Sequence, residues 1–121
     1  MIFTKTVGMR SDYMELIQVT QQLLEANQRL SKATKEVFKM ARERAQTEKV
    51  YRMELAKQMT RLRIEGVQAT LIPDIARGNI AELKEQRDLA KELHRSAIQS
   101  IQALQVEIQA WQSVLRNYEE L

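Results

Sequence analysis

The sequence predicts an all-α fold, a long antiparallel helical hairpin with coiled-coil-like packing that assembles into a helical bundle. Three observations predict it. From Ala76 to Tyr118 a 4-3 spacing runs without a slip, with Ile80, Arg87, His94, Ile101, Ile108 and Leu115 at a and Leu83, Ala90, Ala97, Leu104, Trp111 and Tyr118 at d. A second periodic run, from about residue 13 to 63, contains neither proline nor glycine, and the one proline, Pro73, falls between the two runs. Aromatic residues make up 5% of the chain and charged residues 29%, a balance typical of helical bundles and poor for a pocket-bearing enzyme.

The elements follow in order. Residues 1–10 alternate weakly past Gly8 and read as a flexible arm, because terminal residues order only when something ties them down. Asp12 followed by Glu15 fits a capping box, so helix 1 is expected over 12–65. Its d positions are Leu16, Leu23, Leu30, Val37, Arg44 and Tyr51, and its a positions Thr20, Asn27, Thr34, Ala41, Glu48, Leu55 and Leu62. Ile17, Leu24, Phe38, Ala45 and Met59 flank this seam on one side, and Ala26, Ala33 and Met40 on the other. That face is wider than a single partner helix requires.

A reversal segment is expected over 66–79, with Gly66 as the C-cap and Pro73, Asp74, Arg77 and Gly78 supplying the turn chemistry. Ile72 precedes the proline, a position disfavoured in helical geometry. Residues 73–78 fit either a separate short helix or the first turns of the next one. Asn79 with Glu82 offers a second capping box, and helix 2 is expected over 80–120. The whole, 1–121, is a single domain. A reversal centred near residue 70 pairs positions summing to about 140, which brings Glu48 toward His94 and Leu23 toward Tyr118.

Composition narrows the function classes. The chain has 121 residues, no cysteine and one histidine, so disulfides and thiol catalysis are excluded and a transition-metal site is not expected. His94 has Lys91, not glutamate, three residues before it, which breaks the Glu-x-x-His pattern of di-metal bundles. None of the common phosphate-cradle or nucleophile motifs occurs. The expectation is a protein without catalytic residues, metal or cofactor. Lys5 interrupts a very short apolar N-terminal run, unlike a signal peptide, and no apolar run is long enough to span a bilayer. The expected location is cytoplasmic, with no membrane partner.

Three sets of residues stand out. Arg44, Glu48, Arg87 and His94 place polar groups in the seam, where the best-attested use of buried charge is fixing register. Between Arg29 and Arg63 eleven basic residues meet four acidic ones, a net +7. Within this run Lys32, Lys35, Lys39, Arg42 and Lys49 share one outer face, where a phosphate backbone could dock weakly and in a salt-sensitive way. From Ser96 to Leu115 the only charge is Glu107, and Gln99, Gln102, Gln105, Gln109 and Gln112 take the outward positions. With charge-poor residues 16–28, this half reads as an assembly surface built on Leu16, Leu23, Leu24, Ile101, Leu104, Ile108, Trp111 and Leu115. The expected partners are further copies of the chain, as a dimer or tetramer, and another protein.

Four stretches carry a resemblance: Glu48-Lys49-Val50-Tyr51-Arg52, Leu62-Arg63-Ile64-Glu65-Gly66, the run from Ala69 to Gly78, and Leu83-Lys84-Glu85-Gln86-Arg87-Asp88-Leu89-Ala90. Across about the middle half of the chain they resemble a type of small helical protein of phages and prophages of Gram-positive bacteria. No Trp-x-Gly stands at the turn, which separates the chain from the secreted WxG-type hairpins. The resemblance implies a non-catalytic accessory or adaptor protein in the host cytoplasm, acting on other proteins, including those of DNA replication or recombination. It supplies no catalytic residue. The alternatives are direct nucleic-acid binding through the basic face, and inhibition of a host enzyme by the reversal segment.

Overall fold

A computed structural model describes the backbone of residues 2–119 and the side chains of residues 13–119. Three helices, α1 (Ile2–Ile64), α2 (Ile72–Asn79) and α3 (Ala81–Glu119), account for the fold, with no strand among the described residues. The all-α reading holds: a long helix packs against a second one. The chain divides into two compact units, a turn unit, Glu36–Ile98, and a terminal unit made of Met1–Lys35 and Gln99–Leu121.

In the turn unit, α1 stops in a Schellman motif. Gly66 adopts φ 82°, the Gly66 N–H donates to the Arg63 carbonyl at 3.1 Å and the Val67 N–H to the Leu62 carbonyl at 3.0 Å. The hydrophobic contact that accompanies such a stop is present, since Val67 packs against a buried cluster of Leu62, Ile72 and Ala76, joined by Leu55 and Met59. Residues 73–78 belong to a separate helix. It starts at Ile72, one residue before the proline, with Pro73 in the first turn, where a missing N–H costs nothing. Ile72 is helical against its steric preference because its side chain is buried in the cluster. Asn79 does not cap α3; its Nδ2 donates to Gln58 Oε1 on α1 at 3.3 Å, while the Ile80 carbonyl accepts the Lys84 N–H at 3.1 Å.

Two boundaries differ from expectation at the N-terminus. α1 is already helical at Ile2, so residues 2–10 continue the helix that the sequence starts at 12, and Asp12 lies inside α1 instead of at its end. No proline interrupts these residues, and one glycine, Gly8, costs only about 1 kcal/mol relative to alanine in a helix.

The second seam is as read: Ile80, just before α3, and Ala90 and Ile108 within it are buried, and the other a and d residues from Leu83 to Tyr118 are half-buried. On α1 the d positions are inward, and so are the a positions Ala41, Glu48, Leu55 and Leu62; the a positions before them are not. Thr20, Asn27 and Thr34 are exposed, while Val19 and Ala26 are buried and Ala33 and Met40 half-buried. The polar side chains turn back onto their own helix, Thr20 Oγ1 donating to the Leu16 carbonyl at 2.8 Å, Asn27 Nδ2 to Leu23 at 2.9 Å and Thr34 Oγ1 to Leu30 at 2.8 Å. Over this stretch of the terminal unit the inward stripe is therefore shifted by about one residue, from Thr20, Asn27 and Thr34 to Val19, Ala26 and Ala33. The flanking apolar line stays uncovered from Ile17 to Ala45, with Leu24 58% exposed in the terminal unit and Phe38 63% in the turn unit, while Met59 joins the turn-unit cluster.

Candidate functional site

The turn unit carries a polar cleft of about 510 Å³ on the side of the seam where Ala41 and Ala45 leave room. Its charged walls come from both helices. Arg44, Glu48 and Arg52 recur every four residues on α1, and Arg87, Asp88 and Lys91 face them from α3.

Glu48 is the hub. Its Oε1 accepts from Arg52 Nε at 2.7 Å, and its Oε2 lies 3.6 Å from Arg87 Nε. The Arg52 hydrogen bond, aided by the charges of Arg87 and Lys91 and opposed by partial desolvation, holds its carboxyl below the ordinary glutamate range. Arg87 also donates to Asp88 Oδ1, from Nε at 3.1 Å and from Nη2 at 3.0 Å. Its guanidinium carbon stands 4.1 Å from the centroid of the buried Tyr51 ring. Burial works against the Arg87 charge, but the Asp88 bond and the charges of Asp88 and Glu48 prevail, so its pKa is raised.

The expected Glu48–His94 pair does not form. His94 Nδ1 lies 3.2 Å from Arg44 Nη1. Arginine can only donate, so Nδ1 is the acceptor in this contact. The carboxylate goes instead to the stronger cation donors within reach. All four polar seam residues therefore share the turn unit, but as two pairs, Arg44 with His94 and Glu48 with Arg87. Tyr51, Arg52, Asp88 and Lys91 complete the cluster and were not singled out from sequence. Spacing offered a signal for two of them, since Arg52 and Lys91 lie one helical turn after Glu48 and Arg87. Among the described residues, no group of three or more His, Cys, Asp or Glu side chains converges as a metal site would need.

The assembly residues read from sequence lie in the terminal unit, and all but one face inward. Ile108 is buried, and Leu16, Leu23, Ile101, Leu104, Trp111 and Leu115 are half-buried; only Leu24 is exposed. The reason is general: in a hairpin, the a and d positions are covered by the chain's own antiparallel helix. Two polar contacts clamp the same unit. Arg29 Nη2 donates to both oxygens of Glu107, at 3.0 and 2.8 Å, so the one charge of the Gln-rich run is committed within the chain. The Tyr118 hydroxyl donates to Glu15 Oε2 at 2.6 Å.

On the basic face, Lys39, Arg42 and Lys49 of the turn unit line a shallow groove with Glu43. Lys32 and Lys35 of the terminal unit are exposed. None of the five enters an ion pair among the described residues, and Glu36 and Glu43 pair with none of them. In the reversal segment, Asp74 and Arg77 form only a solvent-exposed contact of 3.6 Å. Among the described residues, no helix is long and apolar enough to cross a membrane.

Comparison with family models, curated proteins and solved structures finds no match to this chain.

Proposed function

We propose that the chain is a non-catalytic helical adaptor that acts by protein–protein association, with a second copy of itself as the first partner. The observation that carries this reading is a stripe on α1 of the terminal unit. Tyr13, Ile17 and Leu24 are exposed at helical spacing, and Thr20 and Asn27 among them direct their polar groups onto their own backbone. The resemblance of the middle half to small phage proteins supports a role as a phage-type accessory in the host cytoplasm, including on replication or recombination proteins.

The test is Ile17→Glu combined with Leu24→Glu, followed by sedimentation velocity and circular dichroism. Both residues lie outside the hairpin seam, so the expected result is a smaller species of unchanged helicity. The wild-type assembly surviving both changes would overturn the reading.

A second reading, direct binding of a nucleic-acid backbone, is favoured by one observation: Lys39, Arg42 and Lys49 line one groove of the turn unit and enter no ion pair among the described residues. It predicts that Lys35→Glu with Lys39→Glu abolishes retention on duplex DNA, with a steep salt dependence before the change. An adaptor that acts through protein contacts keeps its partner after both substitutions.

A further inference from the structure

The polar cleft of the turn unit is not electrically balanced, and the imbalance has a direction. Arg44, Arg52, Arg87 and Lys91 supply four positive charges, and Glu48 and Asp88 two negative ones. The carboxylates are already engaged, Glu48 by Arg52 at 2.7 Å and Arg87 at 3.6 Å, Asp88 by Arg87 at 3.0 Å. Among the described residues Arg44 has only the imidazole of His94 as partner, a contact that occupies one of its five N–H donors and brings no negative charge. Lys91 forms no ion pair among the described residues. Arg44 and Arg87 are also half-buried, at seam positions where apolar residues would stabilise the pairing of helices equally well. A partly desolvated cation without a counter-charge is costly to keep, and an incoming anion removes that cost.

We infer that this cleft is an anion site that takes the phosphate group of a small molecule, held between Arg44 and Lys91 with Arg87 and Arg52 as its second line. A guanidinium fork and an ammonium together match a phosphate, the fork giving two parallel hydrogen bonds and the ammonium a point charge. The volume of about 510 Å³ falls within the range of small-molecule sites, so the ligand carries more than the phosphate alone. Glu48 and Asp88 hold the side chains of Arg52 and Arg87 in place. The assignment is independent of self-association, which involves the terminal unit.

Inorganic pyrophosphate is the probe. It is titrated into the full chain at an ionic strength of about 0.15 M, with sodium chloride matched for ionic strength as control, and followed by thermal unfolding and by the arginine side-chain NMR resonances. The expected result is a saturable rise in Tm beyond the chloride control, with Arg44 and Arg87 shifting together. Lys91→Gln, an exposed change that leaves the fold intact, weakens binding about tenfold, and Arg44→Gln does so at least equally. Lys35→Gln with Lys39→Gln leaves it unchanged. A Tm rise no larger than in chloride, binding that persists in the Arg44→Gln, Lys91→Gln double variant, or loss on the Lys35 and Lys39 changes would each overturn the assignment. An oligonucleotide that shifts the same arginines at lower concentration than pyrophosphate would overturn the small-molecule class in favour of a nucleic-acid backbone.

Discussion

Arg87 lies over the face of Tyr51, its guanidinium carbon 4.1 Å from the ring centroid, on a ring that is 5% exposed. The stacked cation joins α3 to α1 at a half-buried seam position, where Arg87 is also paired with Asp88 and Glu48. A double-mutant cycle with Arg87→Met and Tyr51→Leu isolates the contact. The expected coupling by urea unfolding is about 0.5–2 kcal/mol, the range between exposed and desolvated cation–π pairs. Coupling indistinguishable from zero would mean that the two residues pack without attraction.

Stability should fall in acid, and Glu48 sets part of the fall. Its carboxyl is held below the ordinary value of 4.5, first by the Arg52 hydrogen bond. A depressed carboxylate contributes stability that is fully present above the unfolded-state pKa and is lost as pH drops through the lower folded value. Between pH 7 and pH 5 its contribution should therefore be flat, and below about 4.5 it should decline. In Arg52→Gln that acid-dependent part shrinks. An Arg52→Gln curve parallel to wild type from pH 5 to 2.5 would remove Glu48 from the account.

Gly66 ends α1 with φ 82°, in the left-handed region. Nothing crowds the position where a Cβ would stand, so the cost of Gly66→Ala is conformational, about 1–2 kcal/mol. Chemical denaturation reads it directly, and no loss of stability would mean that the helix stop relaxes to another geometry.

The rotated seam makes a paired prediction. Ala26 is 0% exposed and Asn27 beside it is exposed. Ala26→Leu should overpack the hairpin and cost about 1–3 kcal/mol, while Asn27→Ala should stay within about 0.5 kcal/mol of wild type. The reverse order would restore the seam through Thr20, Asn27 and Thr34.

The difference between those two readings of α1 shows what its sequence could and could not disclose. On α3 the apolar residues leave one choice of stripe, and every a and d position proved inward. On α1 the leucines at 16, 23 and 30 fix one line, but apolar and small residues stand on both sides of it. The choice between Thr20 and Val19, or Asn27 and Ala26, depended on where the facing helix sits, which local spacing does not encode. Gly66 was legible because a positive φ has few tenants. The second capping box failed because Asn79 found Gln58 across the turn, and the Glu48–His94 pair failed because Arg52 and Arg87 compete for the same carboxylate. Residues named as an assembly surface were recognised as apolar seam, but periodicity alone does not tell which partner, the chain itself or another copy, covers a seam.

The central claim is association through the exposed stripe of Tyr13, Ile17 and Leu24, and mass in solution tests it most directly. Light scattering over a wide concentration range, at low and high salt, should return a dimer or tetramer whose mass is indifferent to salt, because the contact is apolar. A monomer at every concentration would contradict self-association.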